Sequence, residues 1–241
     1  MTPGLLARIE AALLLLQRVA IEYRPAAFSS SLGAEDMVLT DMIARHRFGI
    51  EIFTLDTGKL HPETLDLLDR IGTRYGKEIR VVTPVPAAVK EYVAGHGEDA
   101  FYSNVELRKR CCEIRKVEPL GRSLAGKRAW ITGLRRAQSD LRTGIAVEEF
   151  DEARGLAKFN PLAEWSDADV WSYIRSQDVP CNPLHDQGYP SIGCAPCTRA
   201  VAPDEDPRAG RWWWEAEGGA ARECGIHFSP DGRIVRKKAA A

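Results

Sequence analysis

Short apolar runs alternate along the first half of the chain with longer stretches whose apolar residues recur at helical spacing. Ala26–Ser30 is apolar up to a serine cluster, and Ala34–Arg45 follows with the period of a helix. Ile50–Leu55 reads as a compact strand that ends at Asp56-Thr57-Gly58. His61–Tyr75 carries a stripe at Leu65, Leu68 and Ile71, which predicts a second helix. Ile79–Thr83 is a third strand, stopped by Pro84 and Pro86, and Arg128–Thr132 is a fourth, ending at Gly133. Strands alternating with helices of this length predict an α/β fold with a mainly parallel sheet flanked by helices. Ligands of such sheets bind beyond the carboxyl ends of the strands. Binding chemistry is therefore expected in three polar loops: Ser29-Ser30-Ser31, Asp56-Thr57-Gly58 and Gly133 to Ser139.

The pattern changes at both ends. Ala11–Leu16 is apolar, but Glu10 precedes it and Gln17 and Arg18 close it, without a small-residue cleavage site. It is too short to span a bilayer and reads as part of an amphipathic helix, which places the protein in the cytoplasm. From Cys194 onward come Pro196, Pro203, Pro207, several glycines, an acidic patch at 204–206 and three tryptophans at 212–214. We read residues 1–198 as one domain and 199–241 as a mobile C-terminal segment with one short helix and a disordered end from Lys237. The length of 241 residues suits one α/β domain with such an appendage. Lys plus Arg number 33 against 34 Asp plus Glu, so no global field favours nucleic acid or a membrane, and anions must be held by local clusters.

Six cysteines then need an explanation other than a disulfide framework, because cytosolic thiols stay reduced. Cys111-Cys112 sits in a basic, helix-like stretch, and Cys194-Ala195-Pro196-Cys197 lies far downstream. A bare C-x-x-C can be a redox dithiol, a zinc half-site or a cluster half-site. Adjacent Cα atoms lie about 3.8 Å apart, too close for an unstrained disulfide. Two neighbouring thiolates can instead ligate different irons of one cluster, and four cysteines are the usual complement of a [4Fe–4S] centre. Spacing alone leaves zinc open. Cys224, in Glu223-Cys224-Gly225-Ile226-His227, suits a nucleophile on a flexible segment, the alternative being a surface thiol without a role. Cys181 is assigned to packing.

Three other features could hold an anion. Ser29-Ser30-Ser31-Leu32-Gly33-Ala34-Glu35-Asp36 runs from a strand into a helix, where amides and hydroxyls can cradle one; an ordinary serine N-cap is the plainer account. It lacks the G-x-x-x-x-G-K-[ST] pattern of an ATPase loop. Arg135-Arg136 follows a strand end, and Arg208 and Arg211 lie on the C-terminal segment. Arginine suits bidentate binding of phosphate or sulfate, although charges on a solvated face are commoner.

Taken in order, Ser29–Asp36, Leu55–Gly58, Cys111–Lys116, Thr132–Ser139, Cys194–Cys197 and Glu223–His227 resemble the motifs of the assimilatory sulfonucleotide (APS/PAPS) reductases, in their iron–sulfur branch. The resemblance implies an adenine nucleotide α-hydrolase-like fold. It also implies thioredoxin-dependent reduction of adenosine 5′-phosphosulfate to sulfite and AMP, in sulfate assimilation and cysteine biosynthesis. The nucleophile would be Cys224, carrying an S-sulfocysteine intermediate, with Lys116, His227, Arg208 and Arg211 completing the catalytic set. Ser29, Ser30, Ser31, Glu35, Asp36, Asp56, Thr57, Gly58, Arg135 and Arg136 would bind substrate. Cys111, Cys112, Cys194 and Cys197 would hold one [4Fe–4S] cluster with no electron-transfer role, and Lys116 would link that cluster to the substrate. A glutaredoxin-like protein is the other donor the family uses, and a homo-oligomer is its usual state. Three alternatives remain at this point: a reductase of the 3′-phosphorylated nucleotide or of both substrates, a zinc-stabilised nucleotide-binding module, and an ATP-pyrophosphatase-type enzyme. The missing S-G-G-x-D-S loop weighs against the last. Cys181 departs from the family, which more often has an aromatic residue there.

Overall fold

Six strands form one sheet in the order β3-β2-β1-β4-β6-β5. The strands are β1 (Ala26–Ser30), β2 (Ile50–Leu55), β3 (Arg80–Val82), β4 (Ala129–Ile131), β5 (Glu148–Asp151) and β6 (Leu156–Phe159). All pairs are parallel except β5–β6. The computed structural model describes residues 1–139, 142–215 and 226. Among these no helix is long and apolar enough to cross a membrane.

The central strands are apolar on both sides because both faces of the sheet are covered. Ala26 and Phe28 of β1, Ile50 and Ile52 of β2, and Ala129 and Ile131 of β4 enter one core. The alternate residues Ala27, Phe53 and Trp130 enter the other. The first core is closed by α1 (Pro3–Glu22), α2 (Ala34–Arg45), α3 (Pro62–Tyr75) and α7 (Asp167–Gln177). The second is closed by Leu120 and Leu124 of α6 (Glu118–Leu124). Between them α4 (Pro86–His96) and α5 (Val105–Cys112) pack with the cysteines.

The structure corrects three sequence-based expectations. In α3 the buried residues are Thr64, Leu67 and Ile71, while Leu65 is 38% exposed. Thr64, held by a 2.9 Å hydrogen bond from Asn182 Nδ2 to its hydroxyl, takes the inward place expected of Leu65, while Ile71 is buried and Leu68 packs on the core as expected. Pro86 does not end an element but begins α4, where its fixed φ and missing N–H suit the first helical turn. The β5–β6 hairpin was not anticipated. Residues 199–215 contain turns, and the rest of the C-terminal segment, where the expected short helix and the end from Lys237 would fall, lies outside the described residues apart from Ile226. Residues 199–215 lie against the cysteine loop, with Arg199 N–H donating to Gly210 O at 3.0 Å and Trp212 N–H to Cys197 O at 3.1 Å.

β1 has β2 on one side and β4 on the other, and the chain order reverses there. Crevices in α/β sheets open at such a reversal, beyond the carboxyl ends of the strands.

Candidate functional site

A cavity of about 850 Å³ occupies that crevice, large enough for a nucleotide-sized ligand. Ser30 closes β1, Thr54 and Leu55 close β2, and Thr132 and Gly133 follow β4; all line it. The serine loop is tied down from within. Ser31 donates to Asp36 Oδ2 through both its N–H and its hydroxyl, each at 2.6 Å, and Leu32 N–H donates to Ser30 Oγ at 3.2 Å. Leu32 takes a left-handed φ of 61° while fully buried, a conformation that costs a branched residue energy and that surrounding contacts must hold. Ser29 lines the cavity and accepts from Trp130 Nε1 at 2.7 Å.

Two carboxylates sit at the start of α2, on the cavity wall. Burial pushes Asp36 up to about 6, against the opposing effect of the Ser31 donors. Burial also pushes Glu35 upward, but Arg135 and Gln138 outweigh it and hold Glu35 below the usual carboxylate range. Arg135 lines the cavity with a guanidinium already committed. It donates from Nε and Nη2 to Glu35 Oε1 at 3.0 and 2.6 Å, from Nη1 to Trp165 O at 3.0 Å, and from Nη2 to Asp167. Its role is to brace Glu35 against α7.

Cations reach the cavity from four other places. Lys116 comes from the cysteine helix, Arg208 and Arg211 from the C-terminal segment, Arg142 from the loop after β4, and Arg175 from α7. Arg142 was not among the sequence candidates because that loop was read only as far as Ser139. Its signal is a further arginine three residues beyond it, held by a 2.5 Å bond from Nη1 to Gln138 Oε1. Asp56, Gly58 and Arg136 are not part of the wall. Asp56 accepts from Gly58 N–H at 2.8 Å and shapes a turn that Gly58 completes at φ 70°. Arg136 donates instead to Ile145 O at 2.8 Å and to Glu164. Cys224 and His227 lie outside the described residues.

The cysteines assemble on the far side of Lys116. α5 runs through a widened π turn at Glu113–Val117 into α6, so Lys116 is displaced from the regular helical position four residues after Cys112. Cys111, Cys112, Cys194 and Cys197 line a second, small cavity together with Lys59, Arg108, Arg115, Lys116, Phe101 and Trp212. All four are buried, and none of them forms a disulfide. Burial pushes Cys197 up to about 12 and raises Cys111. Burial also raises Cys194, but Lys116, the Thr57 hydroxyl 3.2 Å away and Arg211 outweigh it and hold that thiol below its ordinary value. Arg115 ties this group to the second binding loop by donating to Thr57 O at 2.7 Å. Four buried cysteines around one cavity ringed by basic side chains are a donor set for a metal centre. Among the described residues no three Cys, His, Asp or Glu are grouped as one ion would need. Cys181 packs against the main core, where burial pushes its thiol up to about 11.

Lys116 and Trp212 line both cavities, so the cysteine group and the crevice share a wall. Comparison with known proteins gives this layout a context. The adenosine 5′-phosphosulfate reductase of Burkholderia cepacia is 55% identical over 229 residues, covering 95% of this chain and 91% of that one. The enzyme of the same name from Allochromatium vinosum is 53% identical over 232 residues, with 95% and 90% covered. The crystal structure of a phosphoadenylyl-sulfate reductase from Candida auris, in a phosphate complex, superposes with a TM-score of 0.67 at 28% identity, over 83% of this chain and 98% of that one. Candida glabrata FMN adenylyltransferase, at 14% identity and a TM-score of 0.54 over 92% and 79% of the two chains, shares the fold alone. The phosphoadenosine phosphosulfate reductase domain matches residues 25–200, well over half the chain, and the protein belongs to that family.

Proposed function

We propose that the chain reduces adenosine 5′-phosphosulfate to sulfite and AMP, with a thioredoxin or glutaredoxin-like protein as electron donor. The observation that carries this reading is the shared wall: Lys116 faces the nucleotide-sized crevice and the cysteine group at once. The high identity to the two bacterial reductases over nine-tenths of each chain supports the substrate.

The donor set fits a [4Fe–4S] cluster, held by Cys111, Cys112, Cys194 and Cys197. Four cysteines lining one small cavity are the usual complement of such a cluster, and the surrounding cations offset the charge of their thiolates. When bound, the cluster supplies a fixed local charge beside Lys116. The serine loop and Thr57, placed by the turn that Asp56 and Gly58 shape, hold the nucleotide at the strand ends. Lys116, Arg142, Arg208 and Arg211 meet the phosphosulfate and the negative charge that grows on the leaving phosphate. The Cys224 thiolate attacks the sulfur of the phosphosulfate; the S–O bond to phosphate breaks, AMP leaves and an S-sulfocysteine remains. A donor thiolate then attacks Cys224 Sγ, sulfite departs with the bonding pair, and the donor's second thiol resolves the mixed disulfide, restoring Cys224.

Intact-mass analysis tests the reading. After anaerobic incubation with adenosine 5′-phosphosulfate and no donor, the chain should gain one SO₃ group, lost in Cys224→Ser. The 3′-phosphorylated nucleotide should give none. Adducts from both nucleotides would make the enzyme dual-specific. No adduct from either, in protein that keeps its visible absorbance, overturns the proposal.

Asp36 adds a pH dependence. Its raised value, about 6, leaves it largely ionised at pH 7.5 and half protonated near 6. Losing that negative charge favours an anionic ligand. The dissociation constant for adenosine 5′-phosphosulfate, measured by calorimetry, should therefore fall between pH 7.5 and 6, and Asp36→Asn should flatten the slope.

A further inference from the structure

Arg108 is fully buried, an environment that a guanidinium tolerates only with partners. It stands on α5, one turn before Cys112, and forms a hydrogen bond to that side chain. Its fork donates to Glu215 from Nε at 2.8 Å and from Nη2 at 3.1 Å, and both side chains of the pair are almost wholly enclosed. The same guanidinium lies 4.6 Å from the Trp212 ring centroid. On the ring's account a second cation is held: Arg211 lies 4.8 Å from that centroid. Two guanidiniums thus contact one indole that is 1% exposed.

Arg211 has little else to hold it. Nη1 reaches Ser191 Oγ and Ile192 O only at 3.3 Å, and Nε is buried without a hydrogen-bond partner. Its place beside Gly193 is so close that a Cβ there would lie 2.3 Å from Nη2. A side chain so weakly hydrogen-bonded takes its position from packing, and the packing surface is Trp212. Trp212 in turn takes a left-handed φ of 46°, which needs outside contacts to persist.

We propose that Arg108 and Glu215 are positioning residues: their buried ion pair seats Trp212, and Trp212 sets the guanidinium of Arg211 in the substrate crevice. The chain Glu215–Arg108–Trp212–Arg211 runs from the cysteine helix to the crevice. It makes the geometry of an anion-binding arginine depend on a carboxylate nine positions before Cys224. This inference rests on the function proposed above, and extends it to residues that touch no substrate.

A double-mutant cycle tests it in the full-length, iron-containing chain carrying Cys224→Ser, so that adenosine 5′-phosphosulfate binds without turnover. Calorimetry should show Glu215→Gln weakening binding about tenfold and Arg211→Ala about a hundredfold, with the combination no weaker than Arg211→Ala alone. Glu215→Gln should also change the near-ultraviolet dichroism of the tryptophans. Binding equal to the control, a combined loss equal to the product of the two, or an unaltered tryptophan band overturns the proposal. If Glu215→Gln does not fold, Arg108→Met with Glu215→Leu removes both charges without stranding either, and the same cycle and the same outcomes apply. A control that binds no adenosine 5′-phosphosulfate counts against the proposed function; the tryptophan band still decides the positioning role.

Discussion

Gly133→Ala is expected to remove measurable binding of adenosine 5′-phosphosulfate while leaving the sheet folded. A Cβ at position 133 would lie 2.0 Å from Asp36 Oδ1, 3.2 Å from its Cγ and 3.3 Å from its backbone nitrogen. The carboxylate cannot simply rotate away. It accepts two bonds of 2.6 Å from Ser31, is buried, and stands in the first turn of α2. Moving it strands buried donors, at about 1–3 kcal/mol each, and the overpacking adds about 1–3 kcal/mol. The strain falls on the serine loop, because Ser31 follows the carboxylate. A share of about 3–4 kcal/mol concentrated there corresponds to a fall in affinity of roughly a hundredfold to a thousandfold. Calorimetry against the wild type measures it, with thermal unfolding as the control for the fold. Affinity within threefold of wild type would show that the loop does not cradle the ligand.

How much of this was visible beforehand depends on whether the deciding contact is local. β1, α2 and β2 match the expected ranges because strands covered on both faces read as plain apolar runs and α2 follows with an unbroken period. β5 was hidden because Glu148–Asp151 is a charged edge strand with a single large apolar residue, Phe150, and that one is 47% exposed. The serine loop and Lys116 stand in the motifs that carry the resemblance and line the crevice, and Arg208 and Arg211 line it from outside those motifs. Asp56 and Arg136 lie in motifs too, yet one caps a turn and the other faces Glu164. Residue type does not reveal which way a side chain points. Arg108 and Glu215, 107 positions apart, carry no pattern that links them.

Gly210→Ala shows the same limit from the other side, since nothing in the sequence sets that glycine apart. Its Cβ would lie 2.3 Å from the carbonyl oxygen of Arg199, 3.3 Å from that carbonyl carbon and 3.1 Å from Val201 Cγ1. The first two are backbone atoms, and Arg199 N–H also donates to Gly210 O at 3.0 Å, so neither strand of this small ladder can give without breaking it. What opens is the bridge between Thr198 and Arg211 and, next to it, the bond from Trp212 N–H to Cys197 O. Arg211 then leaves the crevice, and Trp212, 1% exposed and packed on Cys111, Cys194 and Cys197, no longer covers the cysteine cavity. One added methyl group thus acts on the anion site and on the cysteine cavity together. Formation of the SO₃ adduct should slow by about a thousandfold, the cost of misplacing a group that stabilises developing charge. The visible absorbance should also bleach in air several times faster than in the wild type, because solvent and oxygen reach the sulfurs. Rapid-quench mass analysis measures the first and a timed absorbance trace the second. If adduct formation slows while the bleaching rate stays that of the wild type, the cover over the cysteines does not depend on this ladder, and Trp212 is held by Arg108 and Glu215 alone.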